Sequence, residues 1–179
     1  TYDTDNGDQS RTDGSTVDSA LHVDRSNIAF GDAAAGVKIG RQTISWGDGI
    51  VFSVLDLVAP FTPTAIDREY KAGDDGVSGR FSIGQTADVE IYEILRRDID
   101  DHEVSFGSSV LAGKFRQRFS TGEHAYSVDL VLAQKYNDPL AGAGLTGDLG
   151  GFVGRVDTAV TWIDSDSAYT SIIANIDRG

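Results

Sequence analysis

The sequence contains one motif associated with nucleotide binding. The run GAGLTG at 142–147 has the spacing G-x-G-x-x-G. In a dinucleotide site this motif follows a strand and opens a helix, whose N-terminus holds the pyrophosphate. Alternating apolar and polar residues predict a strand, not a helix, over 149–163. We therefore interpret 142–147 as part of a flexible glycine-rich loop and expect no cofactor.

Residues suited to metal binding or catalysis form no recognisable site. The acidic run DTDNGD at 3–8 misses the EF-hand spacing, so a solvated loop is the first interpretation and a loose calcium site the alternative. His22, His102 and His124 lack metal-ligand spacing. The serines at 108–109 have no base near them in sequence, and the carboxylates at 100–101 fall in a predicted turn. We expect no catalytic residue, no metal site and no enzymatic activity.

Composition excludes several further classes. The net charge of −13 disfavours nucleic acid and anionic headgroups as partners, and the absence of Cys excludes disulfides and thiolate metal sites. The longest nearly apolar run, 50–61, is shorter than the roughly 20 residues of a spanning helix. The chain begins with Thr1 and contains no Met, so we expect a processed chain or a fragment.

Period-2 alternation with many β-branched and aromatic residues predicts an all-β protein. We expect eight strands, at 20–30, 37–46, 76–84, 87–95, 104–119, 125–135, 149–163 and 168–177. Tyr126, Val128, Leu130 and Leu132 share one face of their strand, with Val131 as a mismatch on the other. Parity slips in the strands at 37–46 and 104–119 indicate either β-bulges or strand boundaries misplaced by about two to four residues.

Connection lengths point to a membrane barrel. Every second predicted connection is short, whereas 47–75 and 136–148 are long, as in outer-membrane barrels with short periplasmic turns and longer outer loops. Five aromatic residues lie beside the short turns, where a periplasmic girdle is expected, namely Phe30, Phe119, Tyr126, Trp162 and Tyr169. Eight strands place both chain ends outside. We therefore expect missing strands at both ends, at least ten in the full barrel, and 1–19 as part of an outer loop.

The stretch GRQTISWGDGIVFSVLDLVAPFTPTAIDREYKAG at 40–73 resembles bacterial porin-like outer-membrane proteins. In these, a strand ending in Gly-Arg-Gln…Trp-Gly leads into a proline-containing loop, and Glu-Tyr-Lys-x-Gly opens the next strand. The matching residues are Gly40, Arg41, Gln42, Trp46, Gly47, Asp56, Pro60, Glu69, Tyr70, Lys71 and Gly73. The segments 144–155 and 168–177 also look like a late hairpin of such barrels. The resemblance implies an outer-membrane location and a pore or structural role, without naming a substrate.

Two sets of charged residues are candidates for lining a pore. The loop 47–75 is too apolar at 50–61 to stay in water, so it must pack in the lumen as a constriction, or else on the rim or a neighbouring subunit. The candidates in and beside this loop are Arg41, Asp48, Asp56, Asp67, Arg68, Glu69 and Lys71. The strand residues expected to face the lumen are Arg80, Glu90, Asp129, Arg155 and Asp157.

These patterns together predict a single transmembrane antiparallel β-barrel domain over 1–179, eight strands of a larger barrel. The expected function is passive diffusion of small hydrophilic solutes across the bacterial outer membrane. The expected partners are outer-membrane lipid and these solutes, with a homo-oligomer compatible with the sequence. A non-pore sleeve around another protein and a secreted glycan-binding β-sandwich stay open as alternatives.

Overall fold

The described part of the chain forms one antiparallel β-sheet. The computed structural model describes residues 25–44, 46, 53–57, 73–96, 105–164 and 166–178. The nine strands are β1 (Ser26–Gly31), β2 (Ala35–Gln42), β3 (Asp74–Ile83), β4 (Ala87–Ile94), β5 (Val110–Thr121), β6 (His124–Lys135), β7 (Asp138–Asp148), β8 (Phe152–Asp164) and β9 (Ser167–Arg178). Each strand pairs with its neighbours in sequence, and β1 and β9 form the two edges. The all-β antiparallel prediction is confirmed, but the described sheet is open and not closed into a barrel.

The two ends of the sheet differ in their connections. At one end, called the turn end, strands are joined by the short segments 32–34, 84–86, 122–123 and 149–151. The opposite end, called the loop end, carries both long connections, 43–73 and 95–109. The loop end also has two tight turns, so the predicted sorting of connections by length holds at the turn end only.

The prediction of a long loop over 136–148 was wrong, because β7 occupies this segment. Pro139 and the glycines favoured a loop, yet Pro139 lies beside the hairpin turn, and each glycine accommodates a neighbouring side chain. A Cβ on Gly147 would lie 2.7 Å from Cδ1 of Tyr126, so the absence of a side chain there lets the Tyr126 ring pack over the strand. The G-x-G-x-x-G run is therefore neither a phosphate loop nor a flexible one.

The additional strand changes where the first and last strands begin and end. With nine strands, β1 starts at the loop end and β9 finishes at the turn end, so the two do not end on the same side. Phe30, Phe119 and Tyr126 lie toward the turn end, with the Phe119 and Tyr126 rings stacked at 5.5 Å. Trp162 and Tyr169 lie at the loop end instead, which corrects the single girdle predicted for all five.

The sheet has an apolar face and a charged face, as period-2 alternation requires. The strand register places these exposed large side chains together on the apolar face: Ile28, Phe30, Val37, Ile39, Val77, Phe81, Ile83, Ile91, Leu111, Phe119, Leu130, Leu132, Leu145, Phe152, Val156, Trp162, Ile172 and Ile176. The charged face includes Lys38, Arg80, Asp88, Glu90, Lys114, Arg116, Arg118, Asp129, Arg155, Asp157 and Asp177.

Charges on the apolar face occur only near strand ends, within the described strands. Arg41, Asp75 and Glu93 lie at the loop end, whereas His124 and Arg178 lie at the turn end. The strand positions between them on this face are all uncharged. The result is an uncharged band that runs across all nine strands.

The predicted parity slips have simpler causes than bulges. Strand β2 ends at Gln42, so Ile44 and Trp46 leave the sheet, and β5 starts only at Val110, after the 3₁₀ turn Phe106–Ser108. The register irregularity that does occur lies at Trp162/Asp164 in β8. Val131 was the apolar mismatch in β6, and it lies on the charged face but is completely buried there.

No helix in the described part of the chain is long and apolar enough to cross a membrane.

The tight turn after β1 is held by Asp32, whose Oδ1 accepts hydrogen bonds from the amides of Ala34 and Ala35 at 2.8 and 3.0 Å. These two amides hold the pKa of the Asp32 carboxyl below its usual value.

The β6–β7 turn offers a test of β7. Tyr136 and Asn137 both have positive φ, 53° and 71°, as a two-residue type I′ turn requires. We expect Asn137→Val to destabilise the protein by about 1–2 kcal/mol, because a β-branched residue resists this conformation. Asn137→Gly is the matched control and should change stability little. Denaturant midpoints of the two variants measure the difference; equal midpoints would show that 136–137 is not a tight turn.

Candidate functional site

The charged face is divided into two zones. Toward the turn end it carries most of its charged side chains, and toward the loop end it has an apolar zone, with Tyr92, Ile94, Val110, Ala112 and Val131 buried. The side chains that cover this apolar zone come from the β2–β3 connection and belong to the same core cluster, namely Ile44, Trp46, Leu55 and Leu57. The described part of this connection therefore packs on the charged face and not on the apolar one.

Gln42 directs the start of the connection onto the sheet. Its buried side chain donates to the carbonyl oxygens of Lys38 and Gly76 at 3.2 and 3.3 Å and accepts from Ser78 Oγ at 2.7 Å. Four residues later Trp46 packs against Tyr92, with ring centroids 4.2 Å apart. A buried amide with its hydrogen bonds made costs little, so Gln42 fixes the direction of the chain without destabilising the core.

Residues 53–57 are held at a second place, over β7 and β8. Ser53 Oγ donates to Asp157 Oδ2 at 2.7 Å and accepts from the amide of Leu55 at 3.1 Å. A Cβ on Gly142 would lie 2.5 Å from Cδ2 of Leu55, and one on Gly144 would lie 3.2 Å from its Cδ1. The two glycines thus form the notch in β7 into which the fully buried Leu55 fits.

The charged zone is a network of ion pairs that connects adjacent strands. Arg116 Nε donates to Asp129 Oδ1 at 2.7 Å, and this pair joins β5 to β6. Arg118 binds Asp88, and Lys114 Nζ lies 3.5 Å from Glu90 Oε2. At the β9 edge Arg155 binds Asp177. Asp88 and Asp129 are buried, so these partners are needed to offset the loss of hydration of their carboxylates.

The packed connection leaves open space on both sides of it. One cleft, of about 450 Å³, lies between residues 42–44 and 46 and strands β1–β4. It is called the cationic cleft after Lys38 and Arg80, which line it together with Asp32 and Glu90. The other, of about 700 Å³, lies between 53–57 and strands β8–β9 and is lined by Asp56, Asp138 and Lys135 among others. Both volumes are in the range of small-molecule sites.

Five of the predicted site residues come together on the charged face, namely Arg80, Glu90, Asp129, Arg155 and Asp157. Asp56 lies on the packed connection beside the larger cleft. Arg41 does not lie with these five residues. It lies at the rim of the apolar face, where its Nε and Nη2 bind both carboxylate oxygens of Asp75 at 3.0 and 2.7 Å. Asp48, Asp67, Arg68, Glu69 and Lys71 lie outside the described residues.

Sequence reasoning overlooked the basic residues of β2 and β5. Lys38, Lys114, Arg116 and Arg118 all share the charged face with the predicted set. The signal was present for β5, because Lys114, Arg116 and Arg118 alternate at period 2. It was obscured because the strand was expected to start at residue 104 and to change parity near Leu111.

The described residues contain no group of three or more acidic, Cys or His side chains suited to hold a metal ion. No protein-family model, curated protein or solved structure matches the chain.

The notch in β7 gives a test of how the connection is held. Gly142→Ala places a Cβ 2.5 Å from Leu55 Cδ2 and 3.0 Å from the carbonyl oxygen of Thr158, so we expect Leu55 to be displaced. The amides of residues 55 and 56 should then exchange with solvent about tenfold faster in hydrogen-exchange measurements. The matched control is Gly113→Ala, whose Cβ meets nothing closer than the Glu90 carbonyl oxygen at 4.0 Å.

A double-mutant cycle separates this clash from general damage. In the Gly142→Ala background, Leu55→Ala removes the opposing side chain, so the double variant should be less destabilised than the sum of the two single variants. Additive destabilisation would mean that Leu55 does not occupy the notch.

Proposed function

We propose that this sheet is part of the wall of an outer-membrane channel for passive diffusion of small hydrophilic solutes. The observation that carries the proposal is the uncharged band across the apolar face. In β6 the band runs from Tyr126 to Gln134 and in β9 from Ala168 to Ile176. These lengths match the roughly 9–11 residues that a tilted strand needs to cross the hydrocarbon core of a bilayer.

The exposure of the apolar face supports hydrocarbon as its surroundings. In a soluble β-sandwich, Leu130, Val156 and Ile172 would meet other apolar side chains in a dry interior. They are instead 51%, 46% and 70% exposed, and no second layer of the described residues covers them. Soluble monomers rarely expose apolar patches beyond a few hundred Å², whereas a membrane wall requires one.

The charged face supports water on the other side. Its ion pairs and two clefts fit an aqueous lumen, where charges cost little. The connection packed at 53–57 narrows this side of the wall, as a constriction segment would. Aromatic side chains at both borders of the band, including Phe30 and Phe119 at the turn end and Trp162 at the loop end, fit two membrane interfaces.

A channel of this kind needs a closed wall, because hydrocarbon cannot satisfy the free backbone groups of an edge. In the proposed function β1 and β9 pair with further strands that continue both faces. The edge strand β9 suits this role. Its apolar face presents Thr170, Ile172, Ala174 and Ile176 as a direct continuation of the band.

Neighbouring residues of β9 test the assignment of the faces. Ile172→Arg puts a cation into the uncharged band and should cost about 2–4 kcal/mol of folding free energy in phospholipid vesicles. Ser171→Arg is the matched control, since Ser171 borders the larger cleft on the charged face, and its cost should stay below about 1 kcal/mol. Similar costs for both variants would remove the proposed contact with lipid.

A conductance measurement distinguishes a channel from a sleeve that surrounds another protein. The full-length protein, purified in detergent and reconstituted into planar bilayers, should conduct ions in steps. Insertion without conductance would contradict the channel and favour a sleeve around another protein. A protein that stays monodisperse without detergent would contradict the membrane location itself.

A further inference from the structure

The cationic cleft is lined by four charged residues, the cations Lys38 and Arg80 and the carboxylates Asp32 and Glu90. With the neighbouring Lys114, Arg118 and Asp88, this part of the sheet has four cations and three carboxylates. Oδ1 of Asp32 accepts hydrogen bonds from two amides of the β1–β2 turn, and Glu90 has Lys114 as its nearest cation. The chain as a whole has a net charge of −13. A local excess of cations in an acidic protein is an electrostatic feature that attracts an anion.

Two of these cations are available to a ligand. Arg80 is 57% exposed on its side chain and lies at 3.9 Å from Asp88 and 4.0 Å from Glu90, the far limit of an ion pair. Each of these carboxylates has a nearer cation, Arg118 or Lys114. Lys38 is exposed and forms no ion pair within the described part of the chain. Both side chains are therefore free to bind a ligand without breaking a strong contact.

The strand register brings Lys38 and Arg80 close together. Lys38 lies opposite Ser78, and Arg80 lies two residues further along β3 on the same face. Such diagonal neighbours are about 7–8 Å apart at the backbone, within reach of two long side chains that converge on one anion. Small residues beside them, Ala29 and Gly36, leave the floor of the cleft open.

The walls of the cleft are not all polar. Ile44, Trp46 and Tyr92 line its side toward the packed connection, and Gln42 holds that side in place. A volume of about 450 Å³ exceeds what a small inorganic anion fills. The cleft therefore offers a charged end for an acidic group and an apolar side for a carbon skeleton.

We infer that the cationic cleft is a binding site for small organic carboxylates, whose carboxylate is held between Lys38 and Arg80 and whose apolar part lies against Ile44 and Trp46. The site would make the proposed channel prefer organic acids over cations and neutral solutes of the same size. This inference deepens the proposed function, but the cleft and its charges exist whether or not the protein conducts.

Trp46 provides the reporter for a binding test. The chain has two Trp residues, and the other, Trp162, lies on the apolar face. In the full-length Trp162→Phe protein in detergent, benzoate should change the fluorescence of Trp46 in a saturable way. Benzamide and benzamidine have the same ring with neutral and positive groups, so we expect at least tenfold weaker binding for both.

Variants locate the site. Lys38→Gln and Arg80→Gln should each weaken benzoate binding about tenfold, whereas Arg80→Lys, which keeps the charge, should retain most of it. Lys135→Gln is the matched control, because Lys135 borders the other cleft. All three positions are on the sheet surface, and circular dichroism checks that each variant keeps its fold.

The outcomes separate this inference from the proposed function. No saturable response to benzoate, equal binding of benzamide, equal or tighter binding of inorganic phosphate, or unchanged affinity in Lys38→Gln would each overturn the carboxylate site. Benzoate binding that depends on Lys38 and Arg80 supports the site even in a protein without conductance. Conductance without benzoate binding leaves the channel standing and removes the site.

Discussion

The alternation of side chains along each strand is the constraint on which the rest of this structure depends. Because neighbouring residues point to opposite faces, nine in-register strands convert a sequence period of two into two continuous surfaces. One surface keeps its charges at the strand ends, and the other carries most of them between the middle of its strands and the turn end. A slip of one residue in β6 would place Asp129 in the uncharged band, so the separation of the two faces depends on the register.

The segment between β2 and β3 adds the second feature of the molecule. It covers the apolar zone of the charged face, which explains why buried residues such as Val131 and Ile94 lie on a face that is otherwise polar. The hydrophobic effect attaches this segment to the sheet, and two sets of hydrogen bonds, at Gln42 and at Ser53, determine where it lies. Its position creates the two clefts, so the shape of the candidate site follows from packing and not from the strands alone.

Small residues decide where space exists on the charged face. Gly142 and Gly144 make room for Leu55, and Ala29 and Gly36 leave the cationic cleft open beside Arg80. The space beside the first pair is filled by Leu55, whereas the space beside the second pair stays open. Glycine in a strand usually weakens that strand. At Gly142 and Gly144 this cost accompanies the close packing of Leu55, and at Gly36 it accompanies an open cleft.

The sequence by itself determined the fold class, most strands and which residues share a face, because a period of two is a local property of the chain. It misassigned β7, since Pro139 and three glycines carry the signals of a loop and only the neighbouring side chains of Leu55 and Tyr126 explain them. Arg41 was predicted with the pore-lining candidates, and its pairing with Asp75 at the rim of the apolar face involves a residue 34 positions away. The tertiary structure alone decided how the β2–β3 segment packs and which cations converge on one cleft. Contacts between residues distant in sequence arise from register and packing, and no local pattern records them.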